Sequence, residues 1–241
     1  MFVSKHSKFI LTPIKDILQD AINSSIVISR GIESYPIIEY ILQAIFLKLT
    51  GFQEQKGKCL CWDVATNDLE FRYDDFYKIT GEYSAQKDKS KIYSKIMDAI
   101  NKVEHTFSLK HNAESILNSS KKEVIDLFCN SVFAQNRNSD FSFFKNEKTN
   151  WRNEFLQDNS NLFKKNEKNN SLYNIYELLY RERNRCAHNL RSYQQNLPDL
   201  FYLSKEDNKY NNCFFFFWIL GIIDRVYIEL YKKISQFDYY Q

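Results

Sequence analysis

Arg183-Asn184-Arg185-Cys186-Ala187-His188 places a permanent cation, an amide and an imidazole within one short stretch. Together these three side-chain types suit cleavage of a phosphodiester without metal. If an RNA 2′-hydroxyl attacks its own phosphorus, the reaction needs a base for that hydroxyl, an acid for the departing 5′-oxygen and positive charge on the crowded phosphorane. Histidine, with an unperturbed pKa of about 6.5, exchanges protons at neutral pH. Arginine stays protonated and offers a planar fork to two phosphoryl oxygens. An asparagine beside them can hold the ribose, the phosphate or the imidazole by hydrogen bonds. Arg183 is therefore the candidate clamp on the phosphorane, His188 the candidate proton-transfer residue and Asn184 their orienting partner. Arg181 and Arg185 are candidate RNA-binding cations. Arg181 also precedes His188 at a workable spacing, so the motif arginine is Arg181 or Arg183; the adjacent Asn184 favours Arg183.

An arginine and a histidine on a polar helix face are ordinarily just solvated, and such a pair recurs by chance. The weight of this one comes from the weakness of its rivals. Cys59-Leu60-Cys61 has no second Cys or His pair at zinc spacing and reads as structural thiols. His6, His105 and His111 share no motif and read as surface residues. Asp63, Asp68, Asp74 and Asp75 lie near one another, as a magnesium nuclease would need, but their spacing matches no defensible pattern. There is no Gly-rich phosphate loop and no strand-borne nucleophile elbow. No metal site and no cofactor are expected. Each chain carries one motif histidine, yet acid and base are two jobs. A two-fold dimer that brings His188 of both chains together supplies the second; the other arrangement is a single His188 acting only as acid or as a binding group.

The six residues from Arg183 to His188 resemble the motif of the HEPN family, an arginine followed after four to six residues by a histidine, commonly with a polar residue next to the arginine. The resemblance is specific over those six residues, consistent over the last two helices and architectural over the rest. It implies an up-and-down helical bundle that dimerises with the motif helices facing each other. It also implies an endoribonuclease of microbial defence or of a toxin system, acting on single-stranded RNA or a tRNA loop. An antitoxin or a defence-complex partner belongs to the same expectation. The alternative is a non-catalytic module of this kind that binds nucleic acid or a partner protein through the same polar face.

The motif needs a helix to position it, and the sequence provides one. Across roughly 171–195, Leu172, Ile175, Leu179, Cys186, Leu190 and Tyr193 fall on one side at about 100° per residue. Arg181, Asn184, Arg185 and His188 gather opposite, and Arg183 sits on the margin. A second long helix is predicted over roughly 211–235. Its block Phe214 to Trp218 cannot lie on one face, so most of it must be core, with one or two rings left for a dimer contact.

Elsewhere, Thr12 and Pro13 read as cap and first turn of a helix through Ile22. Ser34 caps a second, whose stripe Ile37, Ile38, Ile41, Leu42, Ile45, Phe46 and Leu49 ends at Gly51. Between 58 and 73 the apolar residues alternate around Thr66-Asn67-Asp68, which predicts a small β-hairpin. Further helices are expected after Ser90 and after the capping pair Ser120 and Glu123. Residues 136–170 read as a polar insertion holding one short helix, so that 1–241 forms a single domain.

Composition agrees with this all-α reading. Five Gly and three Pro are too few to punctuate a sandwich or barrel, whereas 44% hydrophobic and 16% aromatic residues supply a core. The net charge of +3, from 33 basic and 30 acidic residues, confines any nucleic-acid footprint to a local patch. Five scattered cysteines imply free thiols and a reducing, cytoplasmic setting. The longest apolar run, Cys213 to Ile223, is far shorter than the roughly 20 residues of a membrane span.

Overall fold

The computed structural model describes residues 5–28, 31–67, 71–76, 86–105, 107–148, 163, 171–188 and 210–237, and among these residues every regular element is a helix. The fold is an all-α bundle.

Helices α1 (Ser7–Leu11) and α2 (Ile14–Ser24) meet at Thr12-Pro13. Thr12 does not cap α2: its hydroxyl turns back to the carbonyl of Lys8 at 2.7 Å, and the extended Pro13 stands at the cap position with no side-chain bond. The first N–H of α2, that of Ile14, is instead satisfied at 2.9 Å by Asp224 Oδ2 from the far end of the sequence.

Helix α3 (Tyr35–Asn67) is 33 residues long and runs straight through Gly51, where a stop is predicted. A terminal glycine ends a helix by adopting the left-handed conformation, and Gly51 does not adopt it. The apolar stripe simply resumes beyond it. Leu60, Cys61, Val64 and Ala65 are all buried, at spacings that only a helix brings to one side. This overturns the hairpin predicted over 58–73. Leu60, Trp62 and Val64 alternate in sequence, yet Trp62 is 59% exposed while its neighbours face the core, so the alternation is a coincidence of helical spacing. Residues 68–70 lie outside the described part, and Phe71–Phe76 forms a π-helical turn with Phe71 buried.

Helix α4 (Gln86–Val103) starts before Ser90 and α5 (Ala113–Phe128) before Ser120, so neither serine is a cap. Ser120 is buried in mid-helix beside Gly221, and Glu123 pairs with Lys15 and Arg225. Helix α6 (Val132–Asn136) is capped by Ser131, whose Oγ accepts the Ala134 N–H at 3.2 Å; α7 (Asn138–Asn146) follows. The polar stretch beginning at 136 thus carries core as well: Phe141, Phe144 and Phe163 are buried. Trp151, Phe155 and Leu156 of that stretch lie outside the described residues. Helices α8 (Ser171–His188) and α9 (Cys213–Phe237) complete the bundle. The predicted extension of α8 to 195 lies outside the described residues.

Helix α9 is the axis of the molecule, packed against α1, α2, α3, α4, α5, α7 and α8. A helix apolar on every side is stable only with neighbours on every side. Phe214, Phe215, Phe216, Phe217 and Trp218 are accordingly all buried within the chain, so none of them is left over for a dimer contact as the sequence predicts. Phe214 meets Phe128, Phe141 and Phe144, while Phe216 stacks on Phe46 of α3. Below this block Asp224 forms an ion pair with Lys56 of α3, both side chains being almost wholly buried. Burial pushes the Asp224 carboxyl up and the Lys56 ammonium down, each opposed by its partner's charge. No described helix is long and apolar enough to cross a membrane.

Candidate functional site

Helix α8 is anchored on α3 and α9 by Ile175, Tyr176, Leu178 and Leu179, which are buried. Ile175 and Leu179 belong to the predicted inner face, and Tyr176 and Leu178 widen it. Beyond Leu179 burial falls off: Tyr180 is half-buried, Arg181 exposed, and Glu182 to Ala187 half-buried. The motif therefore occupies the part of the helix that leaves the core and skirts the edge of the bundle.

The three arginines of the motif meet different surroundings. Arg181 donates to Glu177 one turn back, at 2.7 Å, from the solvent side of the helix. Arg185 grips the carboxylate of Glu182 with two nitrogens, Nε at 2.8 Å and Nη2, and Cys186 Sγ contacts the same carboxylate at 3.5 Å. Both pairs are local to α8. Arg183 reaches off the helix: its Nη1 donates to Asn184 Oδ1 at 3.1 Å, and its Nη2 lies 3.8 Å from Glu54 Oε2 of α3. That separation is an ionic contact without a hydrogen bond.

Glu54 is held more firmly from its other side. Its Oε1 accepts from Lys89 Nζ of α4 at 3.0 Å, and Lys89 is buried, with its ammonium 5.9 Å from the ring centre of Tyr176 and 5.6 Å from that of Tyr180. Burial lowers the Lys89 pKa, Glu54 opposes the shift, and the Arg183 charge adds to it. A single carboxylate thus lies between two cations contributed by two other helices. It bonds one and only leans on the other.

Arg185 and Cys186 open onto a cleft of about 160 Å³ between α3, α7, α8 and α9, which Glu39, Arg137 and Asp140 also line. Arg137 donates to Glu39 at 2.8 Å and reaches Asp140 at 3.3 Å, so the cleft carries charges of both signs. Burial, with Glu182 adding to it, pushes the Cys186 thiol up to about 12, and burial does the same for Cys213 on the opposite wall. A thiol pushed up in this way favours its protonated form over the thiolate nucleophile.

The structure therefore brings Arg183 and Asn184 into direct contact and sets Arg181 and Arg185 into separate local pairs. His188 is the last residue of α8, one helical turn beyond Asn184; its side chain lies outside the described part of the structure. Sequence reasoning missed Glu54 and Lys89. A signal for Lys89 was present, since it stands at helical spacing before the buried Ile92, Tyr93 and Ile96, and a lysine in that register requires a buried partner. Nothing in the sequence names Glu54 as that partner.

The remaining chemical groups fall elsewhere. His6, read as a surface residue, is partly buried: its Nδ1 lies 2.9 Å from Oδ1 of the buried Asp63, and its ring meets Trp62 edge-on. Asp63 thereby leaves the acidic grouping, Asp68 lies outside the described residues, and so do the side chains of Asp74 and Asp75. Cys59 and Cys61 are free thiols on α3 instead of on a hairpin, and burial pushes both up. His105 is exposed, and the side chain of His111 is outside the described part. No grouping of three or more His, Cys, Asp or Glu able to hold a metal occurs among the described residues.

No family model, no curated protein and no solved structure matches this chain.

Proposed function

We propose that this chain is a metal-independent endoribonuclease of the HEPN type, working as a cytoplasmic homodimer in microbial defence or a toxin system. The observation that carries the reading is the state of Arg183. Of the three arginines it is the one whose carboxylate contact, at 3.8 Å, is ionic without a hydrogen bond, and it holds Asn184 one turn ahead of His188. Arg181 and Arg185 each hydrogen-bond a carboxylate of their own helix, Glu177 and Glu182. Arg183 is thus the arginine best placed to accept a phosphate.

In this reading Arg183 stabilises the charge that gathers on the phosphorane. Asn184, positioned by its bond to Arg183, holds the ribose or the phosphate. One His188 of the dimer withdraws the 2′-hydroxyl proton, and the other protonates the 5′-oxygen as the P–O5′ bond breaks. The products are a 2′,3′-cyclic phosphate and a free 5′-hydroxyl. Arg181 and Arg185 guide the flanking phosphates of a single-stranded RNA or tRNA loop.

One observation favours the non-catalytic alternative, a module that binds nucleic acid or a partner protein. Each motif arginine already has a carboxylate of its own chain nearby, which weakens the pull of this face on RNA. The experiment that separates the two readings is incubation of wild type and His188→Ala with total RNA in EDTA, followed by end-group analysis. The nuclease reading expects His188-dependent cleavage that leaves 2′,3′-cyclic phosphate ends. RNA that stays intact, or that is cut equally by both proteins, removes it.

A further inference from the structure

We infer that Glu54 is the built-in occupant of a phosphodiester-binding site on Arg183, which an incoming phosphate takes over while Lys89 retains the displaced carboxylate. The inference rests on the assignment of Arg183 as the phosphate-binding arginine and adds how that site is kept in reserve.

The geometry has three parts. The first is the looseness of the Arg183 contact: Nη2 stands 3.8 Å from Glu54 Oε2, which is close enough for attraction and too long for a hydrogen bond. A phosphate that arrives at that nitrogen exchanges an ionic contact for a charge-assisted hydrogen bond, so the exchange favours the phosphate. The second is the firmness of the other contact. Lys89 bonds Glu54 at 3.0 Å from a position that is 97% buried, so the carboxylate does not have to leave the protein when Arg183 turns away. The third is exposure. The Arg183 side chain is 25% exposed and Glu54 13%, whereas Lys89 is 3%, so the side of this triad open to a ligand is the Arg183 side.

Lys89 and Arg183 consequently compete for one carboxylate, and the competition sets how available Arg183 is. Removing Glu54 should free Arg183. Removing Lys89 should release Glu54 onto Arg183 and close the site. A fixed supporting salt bridge predicts the opposite for Glu54, because its loss would leave Arg183 unanchored and weaken phosphate binding.

The test is anisotropy titration of two labelled probes, a short single-stranded RNA and the DNA of the same sequence, which lacks the 2′-hydroxyl and cannot be cut by this route. Glu54→Gln should bind both probes about three- to tenfold more tightly, the scale of one partly screened ion pair. Lys89→Met should weaken both by a similar factor. In an Arg183→Gln background both changes should collapse to less than about twofold, which a general change in surface charge would not do. Glu54→Asp keeps a charge for Lys89 but withdraws it from Arg183, and should tighten binding in the same direction even if Glu54→Gln folds poorly. Folded Glu54 variants that bind the probes no more tightly than wild type overturn the inference, as do effects that persist without Arg183. Coupled DNA binding without RNA cleavage keeps the anion site and removes the nuclease, whereas His188-dependent cleavage with binding indifferent to Glu54 does the reverse.

Discussion

Asp224 Oδ2 accepts the backbone N–H of Ile14 at 2.9 Å, across 210 positions of sequence, while Oδ1 of the same carboxylate pairs with the buried Lys56. One side chain on the central helix thereby caps the first turn of α2 and neutralises a cation of α3. Three helices meet at a single charge, and each depends on the other two.

That arrangement predicts a strong asymmetry between single and paired substitutions. Asp224→Ala leaves Lys56 buried without its counter-charge and should cost about 3–5 kcal/mol in urea unfolding. Combining Asp224→Asn with Lys56→Met removes both charges and keeps an acceptor for Ile14, so more than half of the loss should return. Equal losses in the single and paired variants would mean that Lys56 left without its counter-charge carries no penalty of its own.

Gly51 offers a test of the continuity of α3. It is exposed in mid-helix, its backbone is not left-handed, and nothing lies within 4 Å of where a Cβ would stand. Gly51→Ala should therefore stabilise the fold by roughly 1 kcal/mol, the helix-propensity difference between the two residues. A helix that ended at Gly51 would instead be weakened by alanine, since a terminal left-handed turn penalises a Cβ. The shift of the thermal midpoint gives the sign.

The separate surroundings of the arginines predict separate kinetic effects. Arg183→Lys keeps the charge but loses the fork, and single-turnover cleavage should slow about 10²-fold or more. Arg181→Ala removes an exposed cation engaged with Glu177 and should act mainly on RNA affinity, with little change in the chemical step. The reverse pattern would move the motif onto Arg181.

Assembly is the remaining test of a composite site. Light scattering at micromolar concentration should return a dimer, and a fully active monomer of one chain's mass would end the argument. In a mixed dimer with one His188→Ala subunit, an acid and base pair should lose most of its activity rather than half. Activity against pH should pass through a bell whose limbs belong to the pair of histidines and not to either chain.

The parts of this protein legible from sequence are those decided within a few turns of helix. The inner face of α8 around Ile175 and Leu179, the burial of most of the Phe214 block and the all-α class follow from apolar spacing, because a side chain's direction on a helix depends only on its position along it. What local pattern could not decide is where a helix stops and what a polar group meets. Gly51 and the alternation around Trp62 are compatible with a stop and a hairpin; only packing of Leu60, Cys61, Val64 and Ala65 against the rest of the chain selects the long helix. Thr12, Ser90 and Ser120 have the chemistry of caps, yet the N–H of Ile14 is satisfied by Asp224 and the other two serines lie inside helices. Glu54 and Lys89 sit on different helices from Arg183, and their meeting is a property of the bundle alone. The physical reason is the same in each case. Backbone preferences differ by about 1 kcal/mol per residue, whereas burying an apolar face, or leaving a buried charge without its distant partner, changes stability by several, so tertiary contacts overrule local signals wherever the two compete.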